Sequence, residues 1–179
     1  MSIKIHQATI NDVESIVPLF DAYRQFYGQP SDIALASSFL LERFKHQQSI
    51  IFLATDATGI TVGFTQLFPS FSSARANQIY ILNDLFVIPS ARRKGVAACL
   101  LQKVVEFGRS MGAVRLSLAT ALDNKTAQKL YESMGWKRDE IFCYYNLSLI
   151  GPASAWRRTR KTARRSGFCW AEKTGGTHE

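Results

Sequence analysis

The sequence predicts a single α/β domain in which a mixed sheet carries helices on both faces. Three observations predict it. Segments with strand alternation and segments with helical periodicity follow one another in the order β-α-α-β-β-β-α-β-α-β over residues 3–149. Two β-rich runs flank a short glycine-bearing turn, which calls for a hairpin and hence antiparallel neighbours. Farther on, strand, helix and strand succeed one another, the unit that puts a helix on a sheet face.

Ile3 to Gln7 alternates apolar and polar residues and opens the sheet. Thr9 followed by Asp12 is a helix cap with an acidic first turn, after which Val13, Ile16, Val17 and Phe20 recur at helical spacing. Pro18 falls inside this pattern and is expected to kink the helix or shift its start. Gly28-Gln29-Pro30 breaks the chain, and Ser31-Asp32 restarts a helix whose stripe is Leu35, Phe39, Leu40 and Phe44. Ile50–Thr55 and Ile60–Phe68 form the hairpin around Asp56 to Gly59. A serine-rich turn from Pro69 to Ala74 leads to a long strand, Gln78–Ile88, which Pro89-Ser90 ends.

From Gly95, the positions Ala97, Leu100, Leu101, Val104, Phe107, Gly108 and Met111 mark a helix closed near Gly112. Val114–Leu118 is a strand, Asn124–Met134 a shorter helix ended by Gly135, and Phe142–Leu149 a final, tyrosine-rich strand. Residues 1–150 therefore form the expected domain.

Composition narrows the class of function. Of 179 residues 46 % are apolar, enough to bury a core and too many for a disordered chain. No apolar run approaches the ~18 residues of a membrane span, and the start lacks the order of a secretory signal, so a cytoplasmic protein is expected. Cys99, Cys143 and Cys169 are widely spaced and odd in number, which fits small core residues better than disulfides or a metal knot. His6, His46 and His178 have no ligand-spaced neighbours, and no metal is expected.

The net charge of +8 is concentrated. Residues 151–179 hold seven Lys/Arg, among them Arg157, Arg158, Arg160, Lys161, Arg164 and Arg165, against Glu172 and Glu179, a local +5 that leaves +3 for residues 1–150. This stretch loses all periodicity and reads as a solvated basic tail. A nucleic-acid-binding arm with Trp156, Phe168 and Trp170 between the charges is the alternative use for it.

The chemistry concentrates in two stretches. In Leu82-Asn83-Asp84-Leu85-Phe86-Val87-Ile88-Pro89-Ser90-Ala91-Arg92-Arg93-Lys94-Gly95-Val96-Ala97 a strand runs through a basic turn straight into a helix. N–H groups at a helix start lack intrahelical acceptors and carry the positive end of the dipole, so such a turn can hold a phosphate. Gly95 permits close approach, Ala97 keeps the next position small, and Arg92, Arg93 and Lys94 add charge; a merely solvated basic helix start is the bland alternative. Neither a P-loop nor a dinucleotide glycine pattern occurs. In the second stretch Asn124 and Tyr131, seven residues apart, share a helix face about 10 Å apart, with Ala127 between them. Asn124 fits a helix N-cap equally well, and Tyr131 a core aromatic.

The run Arg92-Arg93-Lys94-Gly95-Val96-Ala97 matches [R/Q]-x-x-G-x-[G/A], and Asn124 through Ala127, Leu130 and Tyr131 to Gly135-Trp136 matches N…A…LY…G-[FW]. Together with the element order, these resemble the GNAT superfamily of N-acetyltransferases over residues 3–149, excluding the tail. Ala97 stands where glycine is frequent in the family. The resemblance implies acetyl-CoA as co-substrate, with residues 92–97 holding its pyrophosphate. It also implies a bulge near Leu85, Phe86 and Val87 offering main-chain hydrogen bonds to the pantetheine and thioester, Asn124 and Ala127 beside the pantetheine, and Tyr131 facing the departing sulfur. Homodimers are an expectation from the family alone.

An amine acceptor must lose a proton before it attacks, and Asp84, which with Asn83 interrupts an apolar strand, is the candidate base; structural hydrogen bonding is its other reading. Tyr23, Tyr27, Phe71, Tyr144 and Tyr145 are candidate acceptor-lining residues. The reading is acetyl transfer to a primary amine of a small molecule or peptide by direct attack in a ternary complex. A non-catalytic acyl-CoA sensor and a nucleic-acid-binding module are the rivals.

Overall fold

The computed structural model describes residues 3–147 and Leu149. Its elements are β1 (Lys4–Gln7), a 3-10 turn (Ile10–Asp12), α1 (Val13–Phe26), α2 (Ile33–Lys45), β2 (Ile50–Thr55), β3 (Thr61–Ser72), β4 (Asn77–Val87), a second 3-10 turn (Pro89–Ala91), α3 (Val96–Ser110), β5 (Arg115–Leu118) and α4 (Lys125–Ser133). The chain divides after Lys137, and every regular element among the described residues lies before that point. The sheet runs in the order β1-β2-β3-β4-β5. Its first four strands are antiparallel, and β5 joins β4 in parallel after the α3 crossover. The mixed α/β class expected from the sequence is the one found. Among the described residues no helix is long and apolar enough to cross a membrane.

Local chemistry sets the early boundaries. The Thr9 N–H donates to Asp12 Oδ2 at 2.7 Å while the Thr9 hydroxyl accepts from the Asn11 N–H, a reciprocal cap that starts the first helical turn. Pro18 sits inside α1, which runs on through it; the residue removes only the donor that the Glu14 carbonyl would have used. The helix closes with Gly28 at φ +79°, where the Gly28 N–H donates to the Gln25 carbonyl and the Gln29 N–H to the Arg24 carbonyl. Asp32 caps α2 by accepting from the Leu35 N–H at 2.8 Å.

Two cores sandwich the sheet. Ile16, Val17 and Phe20 of α1 and Leu40 of α2 bury against Ile51, Leu53, Phe64 and Phe86. On the other face Val96, Leu100, Leu101 and Val104 of α3 bury against Phe52, Ala54, Leu67, Tyr80, Leu82 and Val87. Adjacent β2 residues thus serve opposite cores, which is why the strand reads as a continuous apolar run. Each fully buried leucine or valine of α3 stabilises by roughly 1.5–3 kcal/mol. That exceeds a side-chain cap, about 1 kcal/mol, so α3 forms without one at Gly95.

Two bulges keep this sorting in register. Gln66 pairs with Asp84 but Leu67 with Leu82, which makes Asn83 an extra residue on β4. The insertion reverses the alternation, so Tyr80 and Leu82 before it and Leu85 and Val87 after it all face α3, while Asp84 and Phe86 face α1 and α2. Val62 is a second extra residue, between the pairs Ala54–Gly63 and Thr55–Thr61.

Three expectations are corrected. The turn placed at Pro69–Ala74 begins later, because β3 continues to Ser72 opposite β4, Pro69 pairing with Tyr80 and Phe71 with Gln78. β2 ends opposite Leu67, so Pro69 has no second neighbour to which it owes an N–H. The final strand is not formed over Phe142–Leu147, which is exposed and outside any regular element. A strand needs a paired neighbour for its main chain, and alternation alone does not supply one. Cys99 and Cys143 are exposed rather than core residues; in α3 the buried stripe of Val96, Leu100, Leu101 and Val104 leaves Cys99 on the opposite face. The basic cluster and Cys169 lie outside the described residues.

A Cβ added at Gly63 would come to 2.8 Å from the Phe86 carbonyl oxygen and 3.2 Å from a Val87 methyl. Gly63→Ala is therefore expected to lower stability by about 1–3 kcal/mol through forced separation of β3 and β4, measurable as a lower midpoint in urea unfolding with unchanged slope.

Candidate active site

The site begins where β5 stops. β5 accompanies β4 only from Ile79 to Leu82, and beyond that point β4 continues to Val87 with β3 on one side and an open edge on the other. The Asn83 bulge falls at this divergence, two residues before the Leu85–Val87 position that the resemblance implied. Leu85 is partly buried and Phe86 and Val87 are buried, so these residues offer the open edge their main chain rather than their side chains. Neighbours already engage three carbonyls nearby. Asn83 O accepts from the Tyr23 hydroxyl at 3.3 Å, Asp84 O from the Thr65 hydroxyl at 2.9 Å, and Val87 O from Arg92 Nε at 2.9 Å.

The turn after β4 presents a run of unpaired amides. Arg93 (φ +59°) and Gly95 (φ +81°) both take the left-handed conformation, which curls residues 92–95 against the start of α3. The first helical bond is from the Cys99 N–H to the Gly95 carbonyl. Among the described residues, none accepts a hydrogen bond from the N–H groups of residues 93–98. Arg93 and Lys94 are exposed, and the Lys94 ammonium donates to the Ser90 carbonyl at 2.8 Å. Val96 is buried and Ala97 packs on the α3 core, so they too offer the turn only main chain. Arg92 departs from expectation in direction. Its guanidinium turns back toward the strand, 5.7 Å from the Phe86 ring and 6.0 Å from the Phe26 ring, and braces the turn against β4 and the end of α1.

Beside the open edge the structure brings together Tyr23 of α1, Tyr27 just after that helix, Asp84 of β4 and Tyr131 of α4. Asp84 is 3 % exposed, and burial pushes its carboxyl above the ordinary 3.8; the neighbouring Tyr23 hydroxyl and the Asn83 amide, which donates at 3.1 Å, partly oppose the rise. Burial also pushes the Tyr23 phenol up, and the Asp84 charge, Tyr27 and Tyr131 add to it. Tyr131 is raised by burial and then by Tyr27. The Tyr23 and Tyr27 rings meet edge to face at 5.0 Å.

Asn124 caps α4 by accepting from the Ala127 N–H at 3.3 Å, and its amide group remains available as a donor. Gln128 steadies the loop before it by donating to the Ala121 and Leu122 carbonyls. Tyr131 rests against Trp136, ring centres 6.2 Å apart. Phe71 is not brought to this group: it lies 75 % exposed opposite Gln78, six positions along β4 from Asp84, about 20 Å at strand rise. Tyr144 and Tyr145 lie beyond Lys137 and are exposed.

The sequence reading missed Gln66 and Thr65. Both are fully buried on β3, Gln66 pairs directly across from Asp84, and its Oε1 has no partner among the described residues. A polar pair inside an apolar strand, the same signal that singled out Asn83-Asp84, would have found them.

The sheet thus opens beside a strand–turn–helix with free amides, and comparison with known proteins identifies the class. The model of the acetyltransferase (GNAT) family matches residues 16–136, and the chain belongs to that family. The uncharacterized N-acetyltransferase YhfO of Bacillus subtilis is 43 % identical over 145 residues, covering 81 % of this chain and 97 % of that protein. Aminoglycoside N(6')-acetyltransferase type 1 of Salmonella typhimurium is 26 % identical over 121 residues, covering 66 % of this chain and 81 % of the other. A crystal structure described as a probable acetyltransferase superposes with a TM-score of 0.79 at 40 % identity, covering 83 % of this chain and 99 % of that one. The protein is an acyltransferase of the N-acetyltransferase type.

Tyr23→Phe removes a group that holds the Asp84 carboxyl down, so Asp84 should titrate at higher pH than in the wild type. Carboxyl carbon NMR across the acid range reads the shift directly; an unmoved or lowered titration contradicts the arrangement.

Proposed function

We propose that the enzyme transfers an acetyl group from acetyl-CoA to a primary amine by direct attack in a ternary complex, within residues 1–150. The single observation that carries this reading is the run of unpaired N–H groups from residue 93 to 98 beside the open edge of β4. Those amides fit a diphosphate, and the charges of Arg93 and Lys94 favour it. The site thus suits the co-substrate that the family implies. In this reading the main chain of Leu85, Phe86 and Val87 and the Asn124 amide, with Ala127 beside it, hold the pantetheine arm, and Arg92 keeps the turn in place.

The acceptor sets the second requirement. An alkylamine of pKa ~10.4 is neutral only about once in 10³ to 10⁴ molecules at pH 7, a cost of roughly 4–5 kcal/mol. Asp84 takes that proton, directly or through water, and its upward displacement brings it closer to the amine in basicity than an exposed aspartate would be. The amine nitrogen then bonds to the acetyl carbon as the carbon–sulfur bond breaks; the electron pair leaves with sulfur, and the second proton that the nitrogen sheds passes to that sulfur, directly or through water, so coenzyme A departs as the thiol. Tyr131 donates a hydrogen bond to that sulfur; complete proton transfer from a phenol of pKa ~10 to a thiolate of ~8.5 is uphill, more so because burial raises the phenol. Tyr23 and Tyr27 wall the acceptor side. The relative named for aminoglycosides supports an amine as acceptor, and an aminoglycoside belongs in the screen with L-lysine, spermidine and a peptide with a free N-terminus.

The test is release of free thiol from acetyl-CoA with that panel, paired with mass detection of the acetylated amine; no product with any amine contradicts the reading. Tyr131→Phe is expected to lower kcat by about 10²-fold while acetyl-CoA binding measured by calorimetry changes little. The rising limb of kcat/KM with pH should lie above the ordinary carboxylate value of 3.8, because the base form of Asp84 is populated only once pH exceeds its raised pKa. Asp84→Asn should abolish that limb; the phenols of Tyr23 and Tyr131 beside it are pushed up by burial and cannot replace it.

A further inference from the structure

Asp21 of α1 is 2 % exposed and plays no part in the chemistry above, yet it accepts four hydrogen bonds. Its Oδ1 accepts from the Asp32 N–H at 2.8 Å and from the Arg24 guanidinium at 3.2 Å. Its Oδ2 accepts from the Ser31 hydroxyl at 2.7 Å and from the Gln25 amide at 2.8 Å. With each oxygen already engaged twice, the group has no capacity left to act as a base. A buried charge so fully paired instead fixes the groups that pair with it.

Those groups are the last turn of α1 and the two residues that lead into α2. Arg24 extends the tie by donating to the Asp32 carbonyl at 3.4 Å, and the Asp32 side chain in turn caps α2. Between the two tied ends lie Tyr27, Gly28, Gln29 and Pro30. Tyr27 is exposed, meets the Tyr23 ring at 5.0 Å and neighbours Tyr131 electrostatically. Phe26, just before it, is exposed, packs edge to face on Tyr27 at 5.3 Å and lies under the Arg92 guanidinium. One carboxylate therefore anchors the connection that carries Tyr27 against Tyr23.

We propose that Asp21 is a positioning residue for acceptor recognition: it locks the α1–α2 connection so that Tyr27 and Tyr23 stand over Asp84, and it sets the affinity for the amine without touching amine or acetyl-CoA. This rests on the reading that the amine enters between those tyrosines and Asp84. Replacing one oxygen by an amide, Asp21→Asn, places donors against the donors of Ser31 and Gln25 or of Arg24 and Asp32, and the connection loosens. Ser31→Ala removes one bond, keeps the carboxylate, and serves as the gentler variant should Asp21→Asn fold poorly.

The experiment has two arms, both run well below each variant's unfolding midpoint. Hydrogen exchange by mass spectrometry reads residues 27–32, and steady-state kinetics uses the panel amine that the wild type acetylates fastest. Expected are faster exchange confined to residues 27–32, a KM for the amine raised about tenfold in Asp21→Asn and less in Ser31→Ala, and an acetyl-CoA KM within twofold of the wild type. Unchanged exchange in both variants overturns the lock. Faster exchange with an unchanged amine KM, or with equal rises in both KM values, overturns the positioning role and leaves a purely structural carboxylate. A wild type inactive on the whole panel defeats the acetyl-transfer reading itself, and this inference with it, whereas loss of acceptor affinity in the variants alone counts against neither.

Discussion

Main-chain hydrogen bonding that the chain itself leaves incomplete is the constraint on which the rest of the structure depends. β4 outruns β5 by five residues and then turns into α3 through a segment in which the amides of residues 93–98 find no acceptor among the described residues. Buried or ligand-covered N–H groups cost about 1–3 kcal/mol each when unpaired, so a run of them is tolerated only at a surface open to water or to an anion. The remainder of the fold holds that run still. Val96 and Leu100 sink the first turn of α3 into one core, Arg92 ties the turn to the Val87 carbonyl, and the Asn83 bulge lets β4 serve both cores up to the point of divergence.

The same bulge explains how a carboxylate comes to be buried here. Without the bulge, strict alternation from Leu82 through Asn83 would put Asp84 on the α3 face with Leu82 and Tyr80. With it, Asp84 faces α1, where Tyr23 supplies a hydroxyl and Asn83 an amide. One inserted residue thus sorts apolar side chains to α3 and sends the polar group toward the tyrosines. Burial and partnership act on the carboxyl in opposite senses, and burial prevails, which leaves it more basic than a surface aspartate.

Much of this was legible in the sequence, and the limits have physical causes. Periodicity placed both early helices, the hairpin and the α3 crossover, because those segments bury one face or two against fixed partners. The strand–turn–helix of residues 82–97 was legible because a basic turn with one glycine before an amphipathic helix has few other uses. The direction of the Arg92 side chain was not legible: the sequence shows a cation in a basic turn, and only packing shows that two rings and a carbonyl draw it inward. The strand expected over Phe142–Leu149 is not formed over Phe142–Leu147 for the converse reason, since alternation describes a strand that could form and says nothing of whether a neighbour is there to pair with it. Phe71 lies along β3 away from the tyrosines and Asp84, because aromatic character alone does not locate a residue along a sheet. Gln66 was passed over although it carried the same signal as Asp84, a polar side chain in an apolar strand.

The central claim is that the amides of residues 93–98 grip a diphosphate. Amide proton and nitrogen chemical shifts recorded while coenzyme A is titrated into the intact protein test it most directly. The account predicts saturable shifts that are largest at the N–H groups of Arg93 through Ala98, with smaller ones along Leu85–Val87. Saturation with the large shifts elsewhere, or no shift at those amides at millimolar coenzyme A, would contradict it.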